Sequence, residues 1–341
     1  METGRKVRTV IIGAGDITRK RHLPALLQAE SAQLFGICNR TPEKALKIAE
    51  EYGLHFYKTA EEVFADSSVE AVLIATPPET HRELAVAALA AGKHVLLEKP
   101  MALTTEDAEA IREAEEKSTA SLMMLHVQRF YEPHKKAKEL LEEGMIGRLL
   151  SCRSFLGSGK VREKEQPLAP CWQDALSNVG IHRIDLLRYL VGDEVTGVFG
   201  YCSHLLFPGE ASNPAAPDDH AVGILQFGGG VVATMIASKT SFHGEDRSTV
   251  LIGTEGTIMT YALGHDVCLL KRNGEQIFFD FDSSHVQSRL ELTDAHEQFC
   301  RCILEGRKMP VTAEDGLISV QILQALFRAD EEHCFQEIPV F

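Results

Sequence analysis

Val10-Ile11-Ile12-Gly13-Ala14-Gly15 is the stretch on which the reading of this chain turns. Apolar residues running into a glycine turn describe a buried strand that ends where a backbone can approach a pyrophosphate. The segment continues Asp16-Ile17-Thr18, so it fits G-x-G-x-x-G except at its last position. In that pattern the first glycine permits a tight turn and the second lets the backbone reach the phosphates. The third allows close packing of helix on strand. Alone the motif is a weak signal, and its weight comes from what surrounds it.

Through residue 125, strand-like runs at 7–12, 33–38, 54–57, 70–75, 94–97 and 121–125 alternate with helical patterns at Pro42–Glu51, Glu79–Ala91 and Thr104–Lys117. Thr41 before Pro42 has the form of an N-cap with proline at the first helical position, and Gly53 and Gly92 fall where helices should stop. Short apolar strands alternating with helices predict parallel strands in a doubly wound, Rossmann-type sheet. A dinucleotide-binding domain is therefore expected over 1–125.

Beyond about residue 128 the pattern changes. A helix at 132–143 precedes longer alternating runs at 148–157, 195–207, 219–228, 230–240, 248–252, 257–261, 266–271 and 276–281. Gly228-Gly229-Gly230 and Asn273-Gly274 mark turns, the second a strong hairpin signal. Helices recur at 181–191, 289–305 and 315–333. These features predict a second α/β domain over 126–341, with an open, largely antiparallel sheet and helices on one face. Substrate binding and oligomerisation are assigned to it, and its last helix is expected to pack back on the first domain.

Composition narrows the function. At 341 residues, with 44% apolar and 25% charged residues, the chain suits two globular domains. A net charge of −14 argues against nucleic acid or an anionic membrane as the main partner. No apolar run approaches the roughly 18 residues of a membrane span, and Met1–Lys6 leads into a strand without a signal-peptide region. The eight cysteines form no CxxC pair, so reduced thiols and a cytoplasmic protein are expected. No His/Cys/carboxylate spacing suggests a metal.

Strand ends carry the chemistry in such a fold. The second strand ends in Cys38-Asn39-Arg40-Thr41, with no carboxylate to take a ribose 2′-hydroxyl. Cationic Arg40 favours NADP(H), while neutral Asn39 leaves NAD(H) possible. Thr76-Pro77-Pro78 closes the fourth strand with a stiff loop that can line the cofactor crevice. Val95-Leu96-Leu97-Glu98-Lys99-Pro100 sets a glutamate and a lysine where another buried strand ends, a reactive amine close to the cofactor. A nicotinamide-dependent oxidoreductase is the expectation.

Seven segments then match a known pattern in order: Gly13–Ile17, Ala75–His81, Glu98-Lys99-Pro100, Gln128-Arg129-Phe130, Gly144–Gly147, Gly180–Asp185 and Gly253–Thr257. With them the chain resembles the Gfo/Idh/MocA oxidoreductase family over almost its whole length. The resemblance implies that Lys99 is the catalytic lysine, that Glu98 lies near the nicotinamide ribose, and that His182 is the acid/base at the substrate carbinol. Gly13, Gly15, Asp16, Ile17, Asn39, Arg40, Thr76, Pro77, His81, Glu98, Lys99 and Arg129 are the expected cofactor residues. Lys99, Trp172, Asn178 and His182 are the expected substrate residues.

The chain departs from the family pattern at three places. Asn178 stands four residues before His182, where aspartate is usual; Cys171-Trp172-Gln173-Asp174 replaces a glycine-rich run; and Val127 replaces asparagine. Asparagine can orient an imidazole but supplies no charge to an imidazolium. Asp174 is a candidate displaced carboxylate, and Trp172 either walls a sugar ring or belongs to the core. Two functions follow. One is an NAD(P)-dependent dehydrogenase of a sugar, polyol or related cyclic hydroxyl compound. The other is a cofactor-binding sensor that has lost turnover. An open sheet associates unless covered, so a homodimer or homotetramer is expected.

Overall fold

The computed structural model describes residues 4–157, 174–206, 218–241, 246–281 and 290–339. Strands and helices alternate at first: β1 (Val7–Ile12), α1 (Leu23–Gln28), β2 (Ala32–Cys38), α2 (Pro42–Tyr52), β3 (His55–Tyr57), α3 (Ala60–Ala65), β4 (Ala71–Ile74), α4 (His81–Ala90), β5 (His94–Leu97), α5 (Thr105–Glu116) and β6 (Leu122–Met124). Then come α6 (Glu132–Glu142), β7 (Leu149–Gly157), α7 (Ile181–Val191), β8 (Val195–Ser203), β9 (His220–Phe227), β10 (Val232–Ser238), β11 (Thr249–Gly253), β12 (Gly256–Ala262), β13 (His265–Lys271) and β14 (Gln276–Phe279). The chain closes with α8 (Leu290–Glu305), α9 (Ala313–Glu332) and β15 (Gln336–Glu337). Two compact units result, Met1–Phe130 with Asp282–Val320, and Tyr131–Phe281 with Gln321–Phe341.

The first unit carries a six-stranded sheet in the order β3-β2-β1-β4-β5-β6. All its pairings are parallel. Val10, Ile11, Val72, Leu73, Val95 and Leu96 are wholly buried, as strands covered on both faces require. The order reverses between β1 and β4, and their ends are tied by the Ala75 N–H, which donates to Ile12 O at 2.9 Å. Ligands of such sheets bind outside the strand carboxyl ends at this switch point. Local signals set the helices. Thr104 Oγ1 accepts the Asp107 N–H at 3.1 Å to start α5, and Gly53 takes φ +65° to stop α2.

The second unit carries a nine-stranded sheet, β14-β13-β12-β11-β7-β10-β9-β8-β15. Only β7 and β10 pair in parallel; the other pairs are antiparallel. Along β9, Ala221, Leu225 and Phe227 are buried while Val222 and Ile224 stay exposed, the two-residue period of a sheet covered on one face. A Cβ on Gly200 would lie 2.7 Å from Leu326 O, so glycine lets the end of α9 lie directly on β8.

Both predicted sheets form, and three details differ from the sequence expectation. The run at 195–207 stops as a strand at Ser203, because the Leu205 and Leu206 N–H groups donate to the Asp219 carboxylate at 3.0 and 2.8 Å instead of to a neighbouring strand. Helix α3 and strand β15 carry too few periodic residues to have been predicted. Two π-turns, Thr18–His22 and Ala175–Gly180, replace regular helix immediately before α1 and α7.

Candidate functional site

The glycine turn is fixed from three sides. Gly13 has φ +118°, and a Cβ there would lie 2.3 Å from Ala75 O, so the turn and the end of β4 touch only because position 13 has no side chain. Its N–H donates to Cys38 O at 2.8 Å. Asn39 Oδ1 accepts the Ala14 N–H at 2.9 Å while its Nδ2 donates to Thr41 O at 2.9 Å. Thr18 is wholly buried and donates its hydroxyl to Gly13 O at 2.9 Å. The residue that breaks the glycine pattern thus braces the turn it belongs to.

A Cβ on Gly15 would meet nothing within 4 Å, and Gly15, Asp16 and Ile17 are exposed. A bare turn at the switch point, followed by a helical run, fits a dinucleotide pyrophosphate. Asp16 is ion-paired with Lys20 at 2.6 Å, and that hydrogen bond and charge hold its carboxyl pKa below the usual value. Arg40 is exposed beside the end of β2. Thr76 is half-buried and accepts from the Thr80 hydroxyl at 2.8 Å. Pro77 is exposed.

His81 is wholly buried, with Nδ1 2.9 Å from Pro100 O and Nε2 3.0 Å from Thr76 O. It links the β4 and β5 loops from inside the fold. Burial holds its pKa below the usual histidine value, against the pull of those carbonyls. Arg129 is ion-paired with Asp315 at 2.9 Å, and Asp315 also accepts the Thr312 N–H at 2.9 Å.

Glu98 and Lys99 follow β5, and both are half-buried. The Lys99–Pro100 peptide is cis. Glu98 Oε2 accepts the Lys99 N–H at 3.0 Å, and Oε1 lies 3.0 Å from His22 Nε2. His22 Nδ1 in turn lies 3.2 Å from His296 Nε2, and both histidines are wholly buried. Burial would raise the Glu98 pKa, but the His22 hydrogen bond, and after it Lys99, bring it down to about 2. Burial, and after it His22, pushes His296 well below the usual value. Sequence reasoning missed both histidines. His296 lies 274 residues from His22, and no spacing rule joins them.

In the second unit, Asn178 and His182 are half-buried, Asn178 inside the π-turn and His182 in the first turn of α7. The orphan N–H groups at the start of this run are met by two buried carboxylates. Asp218 Oδ1 accepts from Ala175 at 2.5 Å, and Asp174 accepts from the Ser177 N–H and, at 3.1 Å, from its hydroxyl. The Asp174 side chain thus serves as this helix cap. Burial raises the pKa of both carboxylates, and the neighbouring Asp218 charge raises Asp174 further. Trp172 lies outside the described residues.

Two family profiles match this chain, one over each sheet-bearing part. The NAD-binding Rossmann profile of the Gfo/Idh/MocA oxidoreductases covers residues 7–126, and their C-terminal alpha/beta profile covers 138–336. The chain belongs to the Gfo/Idh/MocA oxidoreductase family.

Individual members of that family are distant. The scyllo-inositol 2-dehydrogenase (NAD(+)) of Bacillus subtilis is 27% identical over 93% of this chain and 92% of its own. The D-xylose 1-dehydrogenase [NADP(+)] of Haloarcula marismortui is 25% identical over 96% and 92%. A solved levoglucosan dehydrogenase in complex with NADH superposes with a TM-score of 0.89 over 99% of this chain and all of that one, at 23% identity. The family thus includes sugar and polyol dehydrogenases naming either nicotinamide cofactor. Among the described residues no helix is long and apolar enough to cross a membrane, and no group of three potential ligands could hold a metal.

Proposed function

We propose that this protein is an NAD(P)-dependent dehydrogenase that moves a hydride between nicotinamide and a carbinol carbon of a sugar, polyol or related cyclic hydroxyl compound. The observation that carries the reading is the lysine loop: Lys99 follows a buried strand, its N–H held by Glu98, in a sheet whose glycine turn suits a dinucleotide. When bound, the nicotinamide ring accepts the hydride from the carbinol or returns it to the carbonyl. Lys99 polarises the substrate oxygen and stabilises its developing negative charge. His182 takes the hydroxyl proton, as an imidazole can near neutral pH. Asn178 orients that imidazole by hydrogen bonding. Trp172 offers an apolar wall to the sugar ring.

Gly13, Gly15, Asp16 and Ile17 hold the pyrophosphate, Thr76, Pro77 and Glu98 line the nicotinamide side, and His81 and Arg129 brace that surround. NADP(H) is the favoured cofactor, because the end of β2 presents Arg40 and no carboxylate. The working protein is a homodimer or homotetramer joined through the second sheet. Phe199, Tyr201, Val222, Ile224 and Val232 support this, since they leave a row of apolar side chains exposed across β8, β9 and β10. The cytoplasm is its proposed compartment.

Nicotinamide absorbance and fluorescence, followed with pooled sugars and polyols and each cofactor in both redox states, test the proposal. Turnover that Lys99→Met abolishes supports it. Dinucleotide binding with no turnover would favour a sensor, the reading that the neutral Asn178 motivates.

A further inference from the structure

Behind the lysine loop lies a chain of three side chains drawn from sequence-distant elements: His296 in α8, His22 in the π-turn before α1, and Glu98 after β5. A carboxylate only accepts, so the bond at 3.0 Å requires a proton on His22 Nε2. With His22 neutral, its Nδ1 must accept, and His296 must donate from Nε2 across 3.2 Å. His296 Nδ1 is then a bare lone pair. Of the four ring nitrogens of His22 and His296, it alone has no hydrogen-bond partner. The geometry therefore admits one consistent set of tautomers for a neutral chain.

The π-turn makes this possible. The Leu23 N–H reaches back to Thr18 O, and Pro24, which has no N–H, follows at once. The wider turn leaves His22 wholly buried, while Arg19 and Lys20 earlier in the same turn stay exposed. Such turns recur at functional sites. His296 is wholly buried, so the chain ends inside the protein and is suited to holding a geometry.

We propose that His22 is a positioning residue for the reactive lysine: held at Nδ1 by His296, it aims its Nε2–H at Glu98 and fixes that carboxylate against the Lys99 backbone. This rests on the reading of Lys99 as the reactive amine. Glu98 has two partners, one on each oxygen, and the second is the Lys99 N–H. Fixing the carboxylate fixes the main chain from which the amine projects. The titratable groups facing Glu98 are His22, His296, His81 and Lys99, each from a different element. Of these only His22 and Lys99 sustain its negative charge through contact, so loss of His22 leaves burial as the dominant influence.

The test uses full-length protein labelled with ¹⁵N-histidine, without dinucleotide. Long-range ¹H–¹⁵N correlation should show the proton of both His22 and His296 on Nε2. In ¹³C-glutamate protein, His22→Met should raise the Glu98 protonation midpoint by at least about one pH unit. His22→Gln, whose amide can still donate from the Nε2 position, should restore most of it. With an alcohol that is turned over, His22→Met should lower kcat by about tenfold to a hundredfold, the usual reach of supporting contacts. KM should change little, and the acid limb of the pH profile should move up. A proton on Nδ1 of His22, or a folded His22→Met protein with Glu98 unmoved, would overturn the proposal. If His22→Met does not fold, His296→Leu serves instead: the ¹⁵N shift of His22 Nδ1 should move as its hydrogen bond is lost, and an unmoved shift would overturn the role given to His296. Failure of every alcohol would sink the dehydrogenase reading, while the NMR arms would still decide the role of His22.

Discussion

A side chain on Gly13 would strike the carbonyl oxygen of Ala75, 2.3 Å from its Cβ. The turn after β1 and the end of β4 meet there with no room between them, and φ +118° independently excludes a comfortable L-residue. Gly13→Ala should cost more than about 2 kcal/mol of stability. It should also weaken dinucleotide binding at least about tenfold, measured by thermal unfolding and by quenching of bound reduced cofactor.

Thr18 gives the opposite lesson. Restoring the third glycine of the motif by Thr18→Gly should harm the protein, since the wholly buried hydroxyl donates to Gly13 O at 2.9 Å. Loss of that bond, with the backbone freedom of a helical glycine, should lower stability by about 2 kcal/mol. Denaturant titration checks this, and Thr18→Ser should behave almost as the native protein.

The buried carboxylates at the head of the π-turn should set a pH dependence. Burial raises the pKa of Asp174 and Asp218 above the unfolded carboxylate value, so between the unfolded and folded values the native state holds more protons. Their contribution to stability is complete below about pH 4 and is lost as pH rises through the folded values. Asp174→Asn keeps an acceptor for the Ser177 N–H and removes one of two repelling charges. Its melting temperature should fall less with rising pH than that of the native protein, and at neutral pH it should match or exceed it.

Asn178 precedes His182 by one helical turn. Asn178→Asp would place a negative charge near the imidazole, favouring its protonated form. If His182 is the base, the pKa read from the acid limb of the oxidation profile should rise by about one unit. A pH profile unmoved by this change would detach Asn178 from His182.

The row formed by Phe199, Tyr201 and Ile224 should hold copies together. Tyr201→Lys with Ile224→Lys should give a folded species of lower mass by light scattering, with its circular dichroism retained.

Much of the fold was legible because the period of burial is written locally. Six buried apolar runs spaced by helices imply a parallel sheet, and the alternation in β9 implies a sheet covered on one face. The glycine turn and the lysine loop were legible because their chemistry lies in a few consecutive residues. What escaped was non-local. No pattern in Thr18–His22 announces a π-turn, since that shape depends on the missing N–H of Pro24 and on where the Thr18 hydroxyl finds an acceptor. His22, Glu98 and His296 are joined by packing, and nothing near any one of them points to the others. Asp174, considered from sequence as a displaced carboxylate for catalysis, is engaged as a helix cap, which depends on where Ser177 turns back.

Asn39 has a consequence for redesign. Its amide reads in both directions, taking the Ala14 N–H on one side and giving a proton to Thr41 O on the other. An aspartate at this position, the customary route to a preference for the unphosphorylated dinucleotide, would keep the first bond and set an oxygen against the Thr41 carbonyl in place of the second. The glycine turn and the ribose end of the crevice are thus mechanically tied through one side chain. Efforts to exchange cofactors in this protein should begin at Arg40, which bears no such double duty, and leave position 39 alone.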